Sequence, residues 1–156
     1  MTLEEYKKKR KFNITPEPEP EVREKSKSRF VIQEHNASHL HYDFRLEMPA
    51  EIDSKDVVLK SWAVPKNLPQ EADTKRLAVQ TEDHPVDYID FEGEIPKGEY
   101  GAGTVKTWDK GIFQLIERES NHIGFVLEAE KIKGKYNLVK TKGFGGAKNS
   151  WLIFKS

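Results

Sequence analysis

FVIQEHNASHLHYDFRLE, residues 30–47, carries two periodicities at once. From His41 onward polar and apolar side chains alternate, with His41, Asp43 and Arg45 interleaved by Tyr42, Phe44 and Leu46. Successive side chains of a strand point to opposite faces, so this spacing predicts a strand over His41–Glu47 with an imidazole, a carboxylate and a guanidinium in one row. The aromatic and aliphatic face is expected to bury against a core and the polar row to face water. His35 lies upstream, behind the apolar run Phe30–Ile32, and Asn36-Ala37-Ser38-His39 reads as a turn or short helical loop that folds His35 back towards the row. Two imidazoles and a carboxylate suit a divalent transition metal that keeps open positions for substrate. An arginine beside them favours a phosphate or carboxylate as the bound group. Spacing alone also allows a purely structural strand.

Outward from this stretch the pattern is mostly strand. Val57–Val64 is β-branched and aromatic and stops at Pro65, and Arg76–Thr81 places Leu77 and Val79 on one face. Thr104–Trp108 alternates, Asp109-Lys110-Gly111 reads as a turn, and Ile112–Ile116, Ile123–Ala129, Tyr136–Thr141 and Trp151–Lys155 follow. Short strands at regular spacing with Gly-bearing turns fit an antiparallel barrel or sandwich. Residues 1–28 read as a flexible arm, with the basic run Lys7–Lys11 followed by a Pro/Glu segment from Thr15 to Pro20 that favours extended backbone. The expected organisation is therefore an arm, 1–28, and one β domain, 29–156.

Composition bounds the chemistry. The 156 residues contain no cysteine, which excludes disulfides, Cys-zinc sites and thiol catalysis. No apolar run is long enough for a membrane span, and MTLEEYKKKRKF lacks the apolar segment of a signal peptide, so a cytoplasmic protein without a membrane partner is expected, and a monomer is taken as its state. The net charge of zero hides an asymmetry: seven lysines and no acid lie between Lys131 and Ser156, interleaved with Tyr136, Phe144, Trp151 and Phe154. That segment is a candidate surface for a nucleic-acid backbone, or an ordinary solvated hairpin.

A second candidate is Glu82-Asp83-His84-Pro85-Val86-Asp87-Tyr88, which offers a histidine and a tyrosine as hydrogen-bond donors to phosphate. The Gly-rich run from Gly98 to Gly103 leads into a strand, so it is neither a P-loop nor a dinucleotide fingerprint, both of which open a helix. His39 and His122 have no partner in the sequence and read as surface or packing residues.

Together with SWAVPK (61–66), EDHPVDY (82–88), DFEGEIPKGEYGAGTVKTWDKG (90–111) and WLIFK (151–155), the opening stretch resembles the 3′-phosphoesterase domain family of bacterial ligase D, the end-joining DNA ligase. The resemblance runs through nearly the whole chain, including YKKKRKFNITPEP (6–18) in the arm, and its absence of ligase or polymerase segments looks like the stand-alone archaeal and bacterial type. It implies a small β-barrel of about eight strands and a manganese-dependent activity, with Co²⁺ or Zn²⁺ as alternative metals. That activity removes a terminal ribonucleoside from a primer-template 3′ end, then the remaining 3′-phosphate, to leave a 3′-hydroxyl. Carried over by motif, the metal ligands are His35, His41 and Asp43, and the phosphate and catalytic residues are Arg45, His84 and Tyr88; as an imidazolium, His84 would bind phosphate and protonate the leaving oxygen. Gln33 and Lys66 match family positions near the site, and Arg10 and Glu17 match assisting residues in the arm. Lys11 stands where the family often has an acid. Nucleic-acid 3′ ends are the implied partner, with a separate ligase and polymerase suggested by the family alone.

Two other readings share these residues. His41-x-Asp43 with His84 or His122 is the pattern of a non-haem iron oxygenase triad, but it leaves His35 and Arg45 without roles. A non-catalytic end-binding module would rest on the basic C-terminal segment.

Overall fold

Strands β1 (Arg29–Asn36) and β2 (Leu40–Pro49) form a tight hairpin in which Phe30 faces Leu46, Ile32 faces Phe44, Gln33 faces Asp43 and His35 faces His41. The computed structural model describes residues 2–12, 15–18, 26–143 and 148–156. Around the hairpin run β3 (Val57–Val64), β4 (Lys75–Gln80), β5 (Gly93–Ile95), β6 (Gly103–Glu119), β7 (His122–Glu128), β8 (Lys133–Lys140) and β9 (Ser150–Lys155). The pairing order β1-β2-β3-β4-β9-β8-β7-β6 closes when β6 pairs back onto β1, and every contact is antiparallel. The result is an eight-stranded closed barrel with β5 added against β6. Closure removes the unpaired edges that an open sheet would expose.

The barrel interior takes the apolar alternates: Phe30, Phe44, Trp62, Phe125, Tyr136 and Ile153 are all buried in one cluster. This corrects the reading of the C-terminal segment. Tyr136 and Trp151 are core residues rather than a surface ladder, while Phe144 lies outside the described residues. Lysines 133, 135 and 140 do remain exposed.

A second correction concerns Asp109-Lys110-Gly111, which continues β6 rather than turning: Ile32 pairs with Asp109, Val31 with Lys110 and Phe30 with Gly111. The turn-like composition serves long-range contacts. The Asp109 carboxylate accepts the backbone N–H groups of Glu130, Lys131 and Ile132, and a Cβ on Gly111 would overlap the Glu128 carbonyl.

The outer wall of β1–β3 is not bare either. Helix α1 (Leu3–Lys8), N-capped by Thr2, and the 3₁₀ helix Val86–Asp90 lie over it. They form a smaller apolar cluster in which Tyr6, Tyr88, Ile89 and Phe91 pack with Val31 and Leu59. The face expected to be wet is therefore largely roofed: Gln33 is 0% and Arg45 3% exposed. Within the segment read as an arm, Tyr6 is fully buried and its hydroxyl donates to the Pro18 carbonyl.

Candidate metal and phosphate site

Pairing in the β1–β2 hairpin sets His35 and His41 side by side, with ring centroids 4.7 Å apart, and the alternation of β2 adds Asp43 to the same face. The Asp43 carboxylate lies 3.3 Å from His35 Nδ1 and 3.2 Å from His41 Nε2. The opposite ring nitrogens face backbone carbonyls, His35 Nε2 at 2.7 Å from Gly101 O and His41 Nδ1 at 3.2 Å from His39 O. Such carbonyls fix each imidazole as a proton donor outward and a lone-pair donor inward. One ligand atom from each of the three residues lies within 4.8 Å of the others, a spread that a single divalent ion can bridge. Although burial opposes it, Arg45 and the two histidines hold the Asp43 carboxyl well below the usual carboxylate range. The hydrogen bond to Asp43 raises the proton affinity of His41 above the ordinary imidazole value.

Arg45 continues the row. Its Nη2 is 3.5 Å from Asp43, its Nε donates to Gln33 Oε1 at 2.7 Å, and its guanidinium lies 4.9 Å from the centre of the Tyr88 ring. Gln33 in turn donates its amide to the carbonyls of Tyr88 and Phe91. Every polar group of Gln33 is thus spent on aiming Arg45 and tying the 3₁₀ helix to the barrel.

His84 is brought in from a distant loop by a two-way backbone pairing with Leu59 of β3. Its Nδ1 is 2.9 Å from the Glu82 carbonyl and 3.2 Å from Arg45 Nη1, and its Nε2 is 3.3 Å from Arg10 Nη2. Burial first, then the two guanidiniums, push its proton affinity well below the ordinary imidazole value. In the free protein this favours a neutral His84 ring, because a cation between two arginines is disfavoured.

Arg10 reaches this position through Glu17 at 2.9 Å and Glu82 at 2.8 Å, while Glu17 also accepts the Tyr88 hydroxyl at 2.9 Å. The Tyr88 phenol is directed at the arm rather than at open space, and burial pushes it well up from its ordinary value. A cleft of 260 Å³ is lined by His35, His41, Asp43, Arg45, His84 and Arg10, among others. Tyr88 contributes to the same wall. Lys66 does not: it is exposed and lines separate hollows at the barrel mouth with Thr74 and Arg76.

Several residues of the cleft were not singled out from the sequence. Glu82 is buried and bridges Arg10 and Lys9, Ser61 contacts His84 Nδ1 at 3.3 Å, and Tyr6 packs against both His84 and Arg10. Glu82 sat two residues from His84 in an acidic loop, and its only sequence signal was that proximity.

Fold and cleft together define a β-barrel protein in which a candidate metal-ligand cluster and a pair of arginines share one outer wall. The profile of the DNA ligase D 3′-phosphoesterase domain matches residues 33–140, and the chain belongs to that family. It is 44% identical over 162 residues to the multifunctional non-homologous end joining protein LigD of Pseudomonas aeruginosa, covering 99% of this chain and 18% of that protein. It is 46% identical over 138 residues to the corresponding protein of Mycolicibacterium smegmatis and 50% identical over 118 residues to that of Mycobacterium bovis. These matches cover 81% and 73% of this chain but only 16% and 15% of the relatives. The chain thus spans less than a fifth of the length of the relatives it matches.

Proposed function

We propose that this protein is a metal-dependent phosphoesterase that heals nucleic-acid 3′ ends in end-joining DNA repair. On this reading it removes a terminal ribonucleoside and then the 3′-phosphate, the barrel domain of residues 29–156 carrying the site and Arg10 and Glu17 of the arm completing it. The observation that carries the proposal is the contiguity of two half-sites: His35, His41 and Asp43 on one side, Arg45, His84 and Arg10 on the other, in one cleft.

The donor set fits a divalent ion, because both imidazoles spend their outer nitrogen on a backbone carbonyl and turn the inner one towards the same carboxylate. His35, His41 and Asp43 would hold it, with Mn²⁺ as the metal implied by the family. When bound, such an ion neutralises charge on a non-bridging phosphate oxygen.

The chain's own groups supply the rest. Arg45 presents a planar fork locked by Gln33, and Arg10 faces it across His84, so a phosphoryl group between them meets two guanidiniums. These donors stabilise the transition state to the extent that charge builds on the equatorial oxygens. A bound phosphate also offsets the positive potential that keeps His84 neutral, which raises its proton affinity when substrate is present. In the diester step water adds to phosphorus, the bond to O5′ of the terminal nucleoside breaks, that oxygen takes a proton, and the strand retains a 3′-phosphate. In the monoester step water adds again, the bond to O3′ breaks, and inorganic phosphate leaves behind a 3′-hydroxyl.

The test uses a 5′-labelled DNA primer-template ending in one ribonucleotide, incubated with the protein and Mn²⁺ with and without EDTA. Sequential shortening to the 3′-phosphate and then the 3′-hydroxyl, both suppressed by EDTA and by Asp43→Ala, is expected. An unchanged primer with folded, metal-loaded protein would refute the proposal.

A further inference from the structure

Six large apolar side chains are exposed among the described residues, and only one of them, Tyr100 at 47% exposure, lines the catalytic cleft. Its neighbours in that wall are polar, small or buried: Arg10, His35, His41, Asp43, Arg45, Glu82 and His84 are polar, Ala37 and Ala63 are short, and Tyr88 and Ile95 are each 2% exposed. Among the described residues Tyr100 is thus the one exposed large apolar ring that the cleft offers. Its position is fixed relative to the metal ligands, because the next residue, Gly101, presents its carbonyl to His35 Nε2 at 2.7 Å. Gly101 adopts φ 77°, a left-handed backbone that other residues disfavour, so the loop is shaped to make that contact.

The side of the ring towards the arm is blocked. Lys9 Nζ lies 4.7 Å from the ring centroid and 3.4 Å from the hydroxyl, and the Arg10 guanidinium lies 5.1 Å from the centroid. A strand that continued past Tyr100 on that side would run into Lys9 and Arg10, whereas a strand end needs no exit.

The structure assigns Tyr100 as the seat of the terminal nucleoside, the one that departs in the diester step; this rests on the phosphoesterase reading above. The base stacks on the phenol ring while its phosphate lies between Arg45 and Arg10. Base–aromatic stacking is tolerant of base identity, so Tyr100 selects for the presence of a terminal base and not for its sequence. The 3′-phosphate produced by the first step has no such base, so the ring discriminates between the two substrates of one cleft.

The experiment compares wild type, Tyr100→Ala and Tyr100→Phe with Mn²⁺ on three 5′-labelled primer-templates, ending in a ribonucleoside, in an abasic ribose at the same position, and in a 3′-phosphate. Tyr100→Ala should lower the ratio of diester to monoester kcat/KM on the order of tenfold, through KM, with Tyr100→Phe close to wild type. Removing the base should cost the wild type a similar factor, and Tyr100→Ala should add little further on the abasic end. Equal losses on ribonucleoside and 3′-phosphate ends, or fully additive losses from base and ring removal, would overturn the assignment. A 3′-terminal 2-aminopurine riboside read in EDTA tests the seat without turnover. Quenching by wild type that Tyr100→Ala abolishes supports it even if no end is hydrolysed, a result that would sink the phosphoesterase reading alone. Identical fluorescence with both proteins would overturn it.

Discussion

Tyr6→Ala should detach the arm from the barrel and thereby remove Arg10 from the cleft. Tyr6 is 0% exposed, packs edge-on against His84 and Tyr88, and donates its hydroxyl to Pro18. A buried aromatic ring covers roughly 150–250 Å², and truncating one to alanine costs about 3–5 kcal/mol. The barrel core does not include Tyr6, so this cost falls on docking of the arm and not on global unfolding. At about 1.4 kcal/mol per decade the docking equilibrium shifts by roughly two to four orders of magnitude. Against this the arm retains its ion pairs, Arg10 with Glu17 and Glu82 and Lys9 with Glu82, but those charges are held in place by the docking that Tyr6 anchors. Limited trypsin digestion provides the assay: cleavage within Lys7–Lys11 should become fast in the variant while the barrel stays intact. Phosphoesterase kcat/KM should fall with it, and Tyr6→Phe should keep most of both. Unchanged protection at Lys7–Lys11 together with unchanged turnover would refute the anchoring role.

Arg45→Lys should lower kcat/KM by about 10²–10³, because an ammonium cannot serve Gln33, Asp43 and a phosphate with one planar fork; steady-state kinetics near wild type would contradict this. Gln33→Ala should reduce turnover while leaving Mn²⁺ affinity by titration calorimetry within a few-fold, whereas His41→Ala should weaken that affinity on the order of a hundredfold or more. Asp83 forms a buried pair with Lys60 at 2.8 Å, yet burial outweighs the lysine and pushes its carboxyl up to about 6 from 3.8. The folded state then holds this proton more tightly than the unfolded chain, so the group's contribution is fully present below the unfolded value and is lost as pH rises through about 6. Between pH 7 and pH 4 the stability of wild type relative to Asp83→Asn should rise by roughly 2 kcal/mol, and a flat difference in urea melts would exclude the shift.

The hairpin was legible because its period is local. Alternation along His41–Leu46 fixed which residues share a face, and the turn at 37–39 placed His35 beside His41. The second layer was not legible, because nothing in the spacing of Tyr6, Arg10 or the 82–90 loop says that they roof a barrel wall. Turn chemistry misled at Asp109-Lys110-Gly111, where a carboxylate and a glycine serve a neighbouring loop and a close strand approach. The surroundings of His84 were not legible either, because its two arginine neighbours, Arg10 and Arg45, lie 74 and 39 residues away along the chain. The C-terminal aromatics looked like a nucleic-acid platform because a one-dimensional pattern cannot separate barrel-inward from barrel-outward positions.

The two halves of the cleft differ in how far along the chain their contacts reach. His35 meets His41 across a three-residue turn, but Arg45 meets His84 across 39 residues and Arg10 meets His84 across 74. Loop-closure entropy grows with the logarithm of that separation, and long-range contacts are won late in folding. The candidate metal ligands can therefore assemble on an early hairpin, while the proposed anion half waits for ring closure and arm docking. A chain caught midway would present a cation site with no phosphate clamp, so refolding followed in parallel by metal binding and by phosphate-analogue binding should yield two separate time courses, the metal first.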